Sequence, residues 1–127
     1  MSEDLARRNK AIVQRLVDDV INRWQIDDLE DLFTPAGAER ARKDFGSFKE
    51  AFPDWQMELI EMVADEETVV ARFKCRGTHR RTWMGDKPTG KTMAVDEVFF
   101  FRFRDGLIDA VWGLEDTWAR KRQLGLR

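Results

Sequence analysis

The dipeptide Asp105-Gly106 lies between two alternating apolar runs, TMAVDEVFFFRFR before it and LIDAVWGLEDTW after it. A two-residue hairpin turn requires positive φ angles, which Asp and Gly tolerate better than most residues. Asp-Gly between two such runs is therefore among the strongest local signals for a β-hairpin. We predict two antiparallel strands joined at this turn, and this hairpin constrains the fold more than any other segment.

A two-residue turn also predicts which residues lie opposite each other. Counting outward from Arg104 opposite Leu107 places Glu97 opposite Leu114 and Val95 opposite Asp116. Because side chains alternate, one face of the hairpin should carry Glu97, Phe99, Phe101, Phe103, Ile108, Ala110, Trp112, Leu114 and Asp116. The other face should pair Arg102 with Asp109, Phe100 with Val111 and Asp96 with Glu115. This count sends Asp116 inward and Glu115 outward, and a bulge between Gly113 and Asp116 would reverse the two.

The rest of the chain predicts three helices and a second hairpin. An apolar stripe indicates a helix over residues 2–24, a short helix follows through Leu32, and Thr34-Pro35 should begin a third that runs to about Phe52. The runs QMELIEMVA and TVVARFKCRG flank an acidic turn and alternate with period two. Helices followed by at least four antiparallel strands predict a single α+β domain over residues 1–127.

Composition limits the classes of function. The 127 residues carry a net charge of −2 with both signs interspersed, which argues against nucleic acid or an anionic membrane as partner. No apolar run is long enough to span a membrane, the N-terminus lacks a signal-peptide pattern, and one cysteine without a Cys/His cluster indicates neither a disulfide nor a metal site. We expect a cytoplasmic, metal-free protein. Since the chain has no Tyr, acid–base chemistry would rest on carboxylates, Cys75 or His79.

The strand end WGLED offers two interpretations of Asp116. An inward carboxylate among Trp and Phe rings would lose solvation, and its pKa should rise from about 3.9, which suits a base that removes an activated C–H proton. Alternatively, Asp116 caps a following helix, TWARKRQLG, that begins near Thr117.

Four segments in order resemble the SnoaL-like polyketide cyclases of the nuclear-transport-factor-2-like superfamily: EAFPDWQMELIEMVADEETVVARFKCRGTH, GDKPTGKTM, FRFRDGLIDAVWGLED and RQLG. The resemblance implies a cone-shaped α+β barrel, in which N-terminal helices pack against a curved, mostly antiparallel sheet and close a pocket. It also implies cofactor-free aldol cyclisation of a hydrophobic polycarbonyl molecule, and often a homodimer.

In such cyclases an Asp at the end of the last strand is the acid–base catalyst, and Asp116 matches that position. We expect the substrate pocket to be lined by Glu97, Phe99, Phe101, Trp112, Leu114, His79 and Trp83. His79 has a second interpretation, as a structural hydrogen-bonding residue at a strand end. The chain lacks a family His after the second helix, and it lacks the Glu and His often found near Ala110 and Val111. Two alternatives stay open: a non-catalytic ligand-binding or dimerisation module, and an isomerase, dehydratase or hydrolase on the same fold. Apolar Phe100 and Val111 on the outer sheet face indicate a covering partner. The resemblance implies that this partner is a second subunit.

Overall fold

The computed structural model describes residues 2–126, in which helices precede and follow one antiparallel sheet. The helices are α1 (Ser2–Arg15), α2 (Leu29–Leu32), α3 (Pro35–Ala51) and α4 (Thr117–Gln123), with a π-helical segment at Leu16–Ile21 and a 3₁₀ turn at Ile26–Asp28. The strands are β1 (Gln56–Ala64), β2 (Thr68–Thr78), β3 (Thr92–Arg104) and β4 (Leu107–Glu115).

The N-terminal helices form where the apolar pattern predicts them. The stripe of α1 continues into the π-helical segment, whose Leu16, Val17, Val20 and Ile21 are buried. Helix α3 begins as predicted, because the Thr34 hydroxyl accepts a hydrogen bond from the Gly37 N–H at 3.1 Å and Pro35 occupies the first turn. These helices cover the inner face of the sheet and bury its apolar side chains.

The sheet has four strands in the order β1-β2-β3-β4, and each strand is antiparallel to its neighbour. This arrangement confirms the predicted α+β class. The sheet is curved but open, because β1 and β4 do not pair and close it into a barrel. Among the described residues, no helix is long and apolar enough to span a membrane.

The Asp105-Gly106 turn forms as predicted, with φ angles of 50° and 82°, and it joins β3 to β4. Arg104 lies opposite Leu107 and Phe103 opposite Ile108, as counted from the turn. Beyond this point the predicted register is wrong, because a β-bulge leaves Asp109 without a partner. The observed pairs are Arg102 with Ala110, Phe101 with Val111, Phe100 with Trp112, Phe99 with Gly113, Val98 with Leu114 and Glu97 with Glu115.

The bulge lies where the start of α3 docks against β4. The Thr34 N–H donates to the Ile108 carbonyl at 2.9 Å, and the Thr34 hydroxyl donates to the Asp109 carboxylate at 2.7 Å. Gly37 lies so close that a Cβ there would be 2.7 Å from the Ile108 oxygen. These contacts hold Asp109 as the extra residue of β4, and every side chain after it changes face.

Candidate functional site

A cavity of about 670 Å³ lies between α3 and the inner face of strands β3 and β4. Its volume is within the range of small-molecule sites. Aromatic rings provide much of its wall, namely those of Phe33, Phe45, Phe48, Trp55, Trp83 and Phe99. The exposed side chains of Arg40 and Asp44 border it where it reaches the surface.

The rings on the helical side of the cavity pack against one another. The Phe48 ring is 4.8 Å from the Trp55 ring and 5.0 Å from the Trp83 ring, measured between centroids, and both pairs meet edge to face. On the sheet side, the Phe99 ring occupies the space that a Cβ of Gly113 would need. The wall is therefore closely packed and presents flat apolar surface to the cavity.

Three acidic residues border the cavity, and they differ in environment. Asp44 is exposed, and Asp109 is held by the Thr34 hydroxyl and by Arg104 at 3.5 Å. Glu97 is only 8% exposed and has its Cα partners in Phe73 of β2 and Glu115 of β4. Glu97 is thus the carboxyl group that is both desolvated and in the wall of the cavity.

Burial raises the pKa of Glu97 from 4.5 to about 8, and repulsion by Glu115 acts in the same direction. The Cys75 thiol and the Arg120 guanidinium partly oppose this increase in pKa. Burial and the charge of Glu97 in turn raise the pKa of the Cys75 thiol, so Cys75 is a poor nucleophile. A carboxyl group with a pKa near 8 can take and return a proton close to neutral pH.

Glu115 is held by two donors from α4. Its Oε1 accepts from the Arg120 Nε at 2.8 Å and from the Thr117 hydroxyl at 3.1 Å. The Arg120 side chain is 1% exposed. Glu115 was expected on the outer face opposite Asp96, and this prediction is wrong, because the bulge brings Glu115 opposite Glu97.

The predicted inward orientation of Asp116 is wrong as well. Asp116 is exposed, follows the last residue of β4, and accepts from the Ala119 N–H at 3.0 Å as the N-cap of α4. The alternative interpretation, a helix cap, describes its geometry. Since Asp116 is exposed to solvent, the argument from burial that made it the candidate base does not apply to it.

The bulge also changes the positions of two predicted pocket residues on β4. Leu114 is 61% exposed on the outer face, so its predicted inward position is wrong. Trp112 borders the cavity at the edge strand, yet its ring is 57% exposed and packs edge to face against Phe100 at 5.6 Å. Val111, expected on the outer face, takes an inward place opposite Phe101.

The other predicted pocket residues divide into two groups. Phe99 and Trp83 line the cavity, as Glu97 does. Phe101 and His79 are buried but belong to the core beside it. The Nδ1 atom of His79 accepts from the Thr89 N–H at 3.3 Å and its ring stacks on Phe52, which is the arrangement of the structural alternative.

The sequence reasoning missed Glu115 and Arg120 as neighbours of the site. A signal for Arg120 was present in the sequence, because Arg120 precedes buried Leu124 by four residues and so lies on the same face of α4. Glu115 had no such signal, since its direction depends on the bulge. Within residues 2–126, no group of three or more His, Cys, Asp and Glu side chains is placed to hold a metal ion.

Comparisons with known proteins point to one family. The family model for SnoaL-like polyketide cyclases matches residues 11–124. No curated protein matches the chain. Among solved structures, TsrD from Streptomyces laurentii is 19% identical, with 95% of this chain and 97% of that chain covered and a TM-score of 0.86. A SnoaL-like polyketide cyclase from Agrobacterium tumefaciens is 24% identical, with 92% of this chain and 98% of that chain covered and a TM-score of 0.80. AclR from Streptomyces galilaeus, provisionally named a hydroxylase, is 25% identical, with 94% of this chain and 97% of that chain covered and a TM-score of 0.81.

Proposed function

Because the chain belongs to the SnoaL-like polyketide cyclase family, we propose that it binds a hydrophobic small molecule in the cavity and transfers protons with Glu97 as acid and base. The observation that carries this proposal is a desolvated carboxyl group in the wall of an aromatic cavity. Family membership supports a small-molecule ligand. The aromatic wall supports a ligand with flat, apolar surface.

The proposed chemistry is an intramolecular aldol closure or a related proton transfer. Ionised Glu97 removes a proton from a carbon atom flanked by two carbonyl groups, and these carbonyls delocalise the resulting negative charge. The carbanion attacks a second carbonyl carbon of the same molecule, and a C–C bond forms. Protonated Glu97 then returns its proton to the oxygen of that carbonyl, which restores the enzyme without a cofactor.

The surroundings of Glu97 suit this exchange of roles. Burial of the carboxyl group makes it a stronger base than an exposed Glu, and its pKa of about 8 leaves both protonation states accessible near neutral pH. Phe73 and Phe99 lie beside it on the sheet, with ring centroids 5.6 Å apart, and they limit access of water.

A direct test uses 5-nitro-1,2-benzisoxazole, an aromatic probe that loses one activated C–H proton to a base and opens to a coloured cyanophenolate. We expect the protein to accelerate ring opening over buffer, with a kcat/KM that rises with pH towards a plateau above about 8. Glu97→Gln should reduce kcat/KM by about 100-fold or more.

Asp116→Asn is the matched control in this assay. It removes one carboxylate, as Glu97→Gln does, but keeps a side chain that caps helices well. Wild-type turnover in Asp116→Asn with loss in Glu97→Gln supports the proposal. The reverse pattern would restore Asp116 to the catalytic role predicted from the sequence. Quenching of tryptophan fluorescence by the probe without ring opening would indicate a binding module.

We also propose a homodimer that forms through the outer face of the sheet. Val63, Val70, Phe100 and Trp112 are mutual neighbours across the four strands and form one apolar row on this face. Val63 and Trp112 are 64% and 57% exposed. A contiguous apolar row on a sheet surface is typical of an interface.

A further inference from the structure

A buried ion pair lies behind Glu97, between the end of β4 and helix α4. Glu115 is the direct partner of Glu97 across β3 and β4, and the Arg120 Nε donates to Glu115 Oε1 at 2.8 Å. The Arg120 side chain is 1% exposed and that of Glu115 is 19% exposed. Neither residue lines the cavity, so neither is placed to touch a ligand.

We propose that Glu115 and Arg120 are positioning residues that hold a fixed negative charge beside Glu97 and thereby set the pH range in which Glu97 exchanges its proton. This inference rests on the proposed role of Glu97 as the proton-transfer group, and it extends that role to two residues outside the cavity.

The geometry of Arg120 gives it a function beyond simple packing. Burying an ion pair costs desolvation energy, and such pairs contribute little to stability compared with apolar side chains of similar size. The Arg120 guanidinium also lacks full compensation, because its Nη1 atom is buried with no hydrogen-bond partner among the described residues and its Nη2 reaches only the Met84 sulfur at 4.0 Å. Arg120 therefore pairs with one carboxylate, that of Glu115, and its Nη1 group has no acceptor among the described residues.

The charged and titratable groups that face Glu97 come from four elements. Cys75 of β2 and Arg120 of α4 favour the ionised form of Glu97, and Glu115 of β4 opposes it more strongly than Arg120 favours it. From the cavity side, Arg40 and Asp44 of α3 form an exposed pair 3.8 Å apart, so their charges largely cancel and are screened by solvent. The net effect of the pair behind Glu97 is to favour the protonated carboxyl group.

The test is a pH titration of the Glu97 carboxyl carbon by NMR in the full chain with ¹³C-labelled glutamate, assigned with Glu97→Gln. Glu115→Gln keeps an oxygen that accepts from Arg120 but removes the negative charge. We expect the midpoint of the Glu97 titration to fall by about one to two pH units. The pH at which kcat/KM for 5-nitro-1,2-benzisoxazole reaches half of its plateau should fall in parallel.

The double variant Glu115→Gln/Arg120→Met separates the effect of Arg120 on the Glu97 titration from that of Glu115. It also avoids leaving a buried cation unpaired. Without either charge, the midpoint should lie between those of Glu115→Gln and the wild-type protein. A midpoint equal to that of Glu115→Gln would remove Arg120 from the proposal.

Asp96→Asn is the control. Asp96 is the chain neighbour of Glu97 on the opposite face, and its exposed carboxylate pairs with Lys74 at 2.9 Å. Its loss should leave the Glu97 midpoint unchanged. An unchanged midpoint in Glu115→Gln would overturn the inference. If the midpoint moves as expected but neither protein opens the probe, the inference on charge holds and the proposed function fails.

Discussion

At the scale of single residues, the protonation of Glu97 links the cavity to the stability of the fold. A buried carboxyl group resists ionisation, and its neighbour Glu115 adds to this resistance. The folded protein therefore binds the Glu97 proton more tightly than the unfolded chain does. Stability from this group is complete below about pH 4.5, declines as the pH rises, and is lost once the pH passes about 8.

Glu97→Gln should remove this dependence, because glutamine does not titrate. We expect the free energy of unfolding of the variant, relative to the wild-type protein, to increase between pH 4.5 and pH 8 by an amount on the order of a few kcal/mol. Urea unfolding of both proteins at pH 5 and at pH 8.5 measures this difference, in which the other titrating groups cancel. An equal difference at both pH values would show that Glu97 has an ordinary pKa in the folded protein.

At the scale of elements, two adjacent acidic residues at the junction of β4 and α4, Glu115 and Asp116, have different structural roles. Glu115 is the last residue of the strand and faces inward, whereas Asp116 caps the helix. The cap lies on the helix that supplies Arg120, so the start of α4 also helps to place the cation behind Glu97.

Asp116→Ala should destabilise the protein by about 1 kcal/mol, because the Ala119 N–H loses its acceptor. Asp116→Asn should have little effect, since asparagine caps a helix about as well as aspartate does. Chemical denaturation of the three proteins at one pH measures both differences. Equal destabilisation by the two substitutions would point to the charge of Asp116 rather than to its cap.

At the scale of the whole molecule, the two faces of the sheet have different roles. The inner face contributes Glu97 and Phe99 to the cavity, and the outer face presents the apolar row of Val63, Val70, Phe100 and Trp112. A small domain rarely exposes such a row without a partner. The outer face is therefore the surface on which association should depend.

Trp112→Glu should shift the protein from dimer to monomer, because it places a charge within an apolar contact. Sedimentation velocity over a range of concentrations measures the shift. Trp118→Glu is the matched control, since Trp118 is 70% exposed but lies on α4, outside the row. A wild-type protein that stays monomeric at every concentration would contradict the proposed dimer.

Much of the fold could be predicted from local sequence because the signals are local. The period of the apolar residues distinguishes helix from strand, Thr34-Pro35 begins α3, and Asp105-Gly106 forms the turn as predicted. The resemblance to the cyclase family likewise identified the fold that the family model supports over residues 11–124. The local patterns depend on residues that are close in the chain, so they can be recognised without knowing which distant segments come into contact.

The candidate site was predicted less well because it depends on register. Glu97, Phe99 and Trp83 line the cavity. The first two lie on β3, whose alternation is not interrupted by the bulge in β4. Leu114, Glu115 and Asp116 were placed on the wrong faces, because one extra residue at Asp109 reverses every later position in β4.

The sequence by itself determined the order of helices and strands, the turn between β3 and β4, and the presence of acids at the end of the last strand. Only the tertiary structure decided which of these acids turns to the inner face of the sheet. The reason is that Thr34 and Gly37, some 70 residues earlier in the chain, dock against Ile108 and Asp109 and hold the bulge. A contact between segments so far apart leaves no local pattern, and yet it turns Glu115 towards Glu97 and leaves Asp116 to cap a helix.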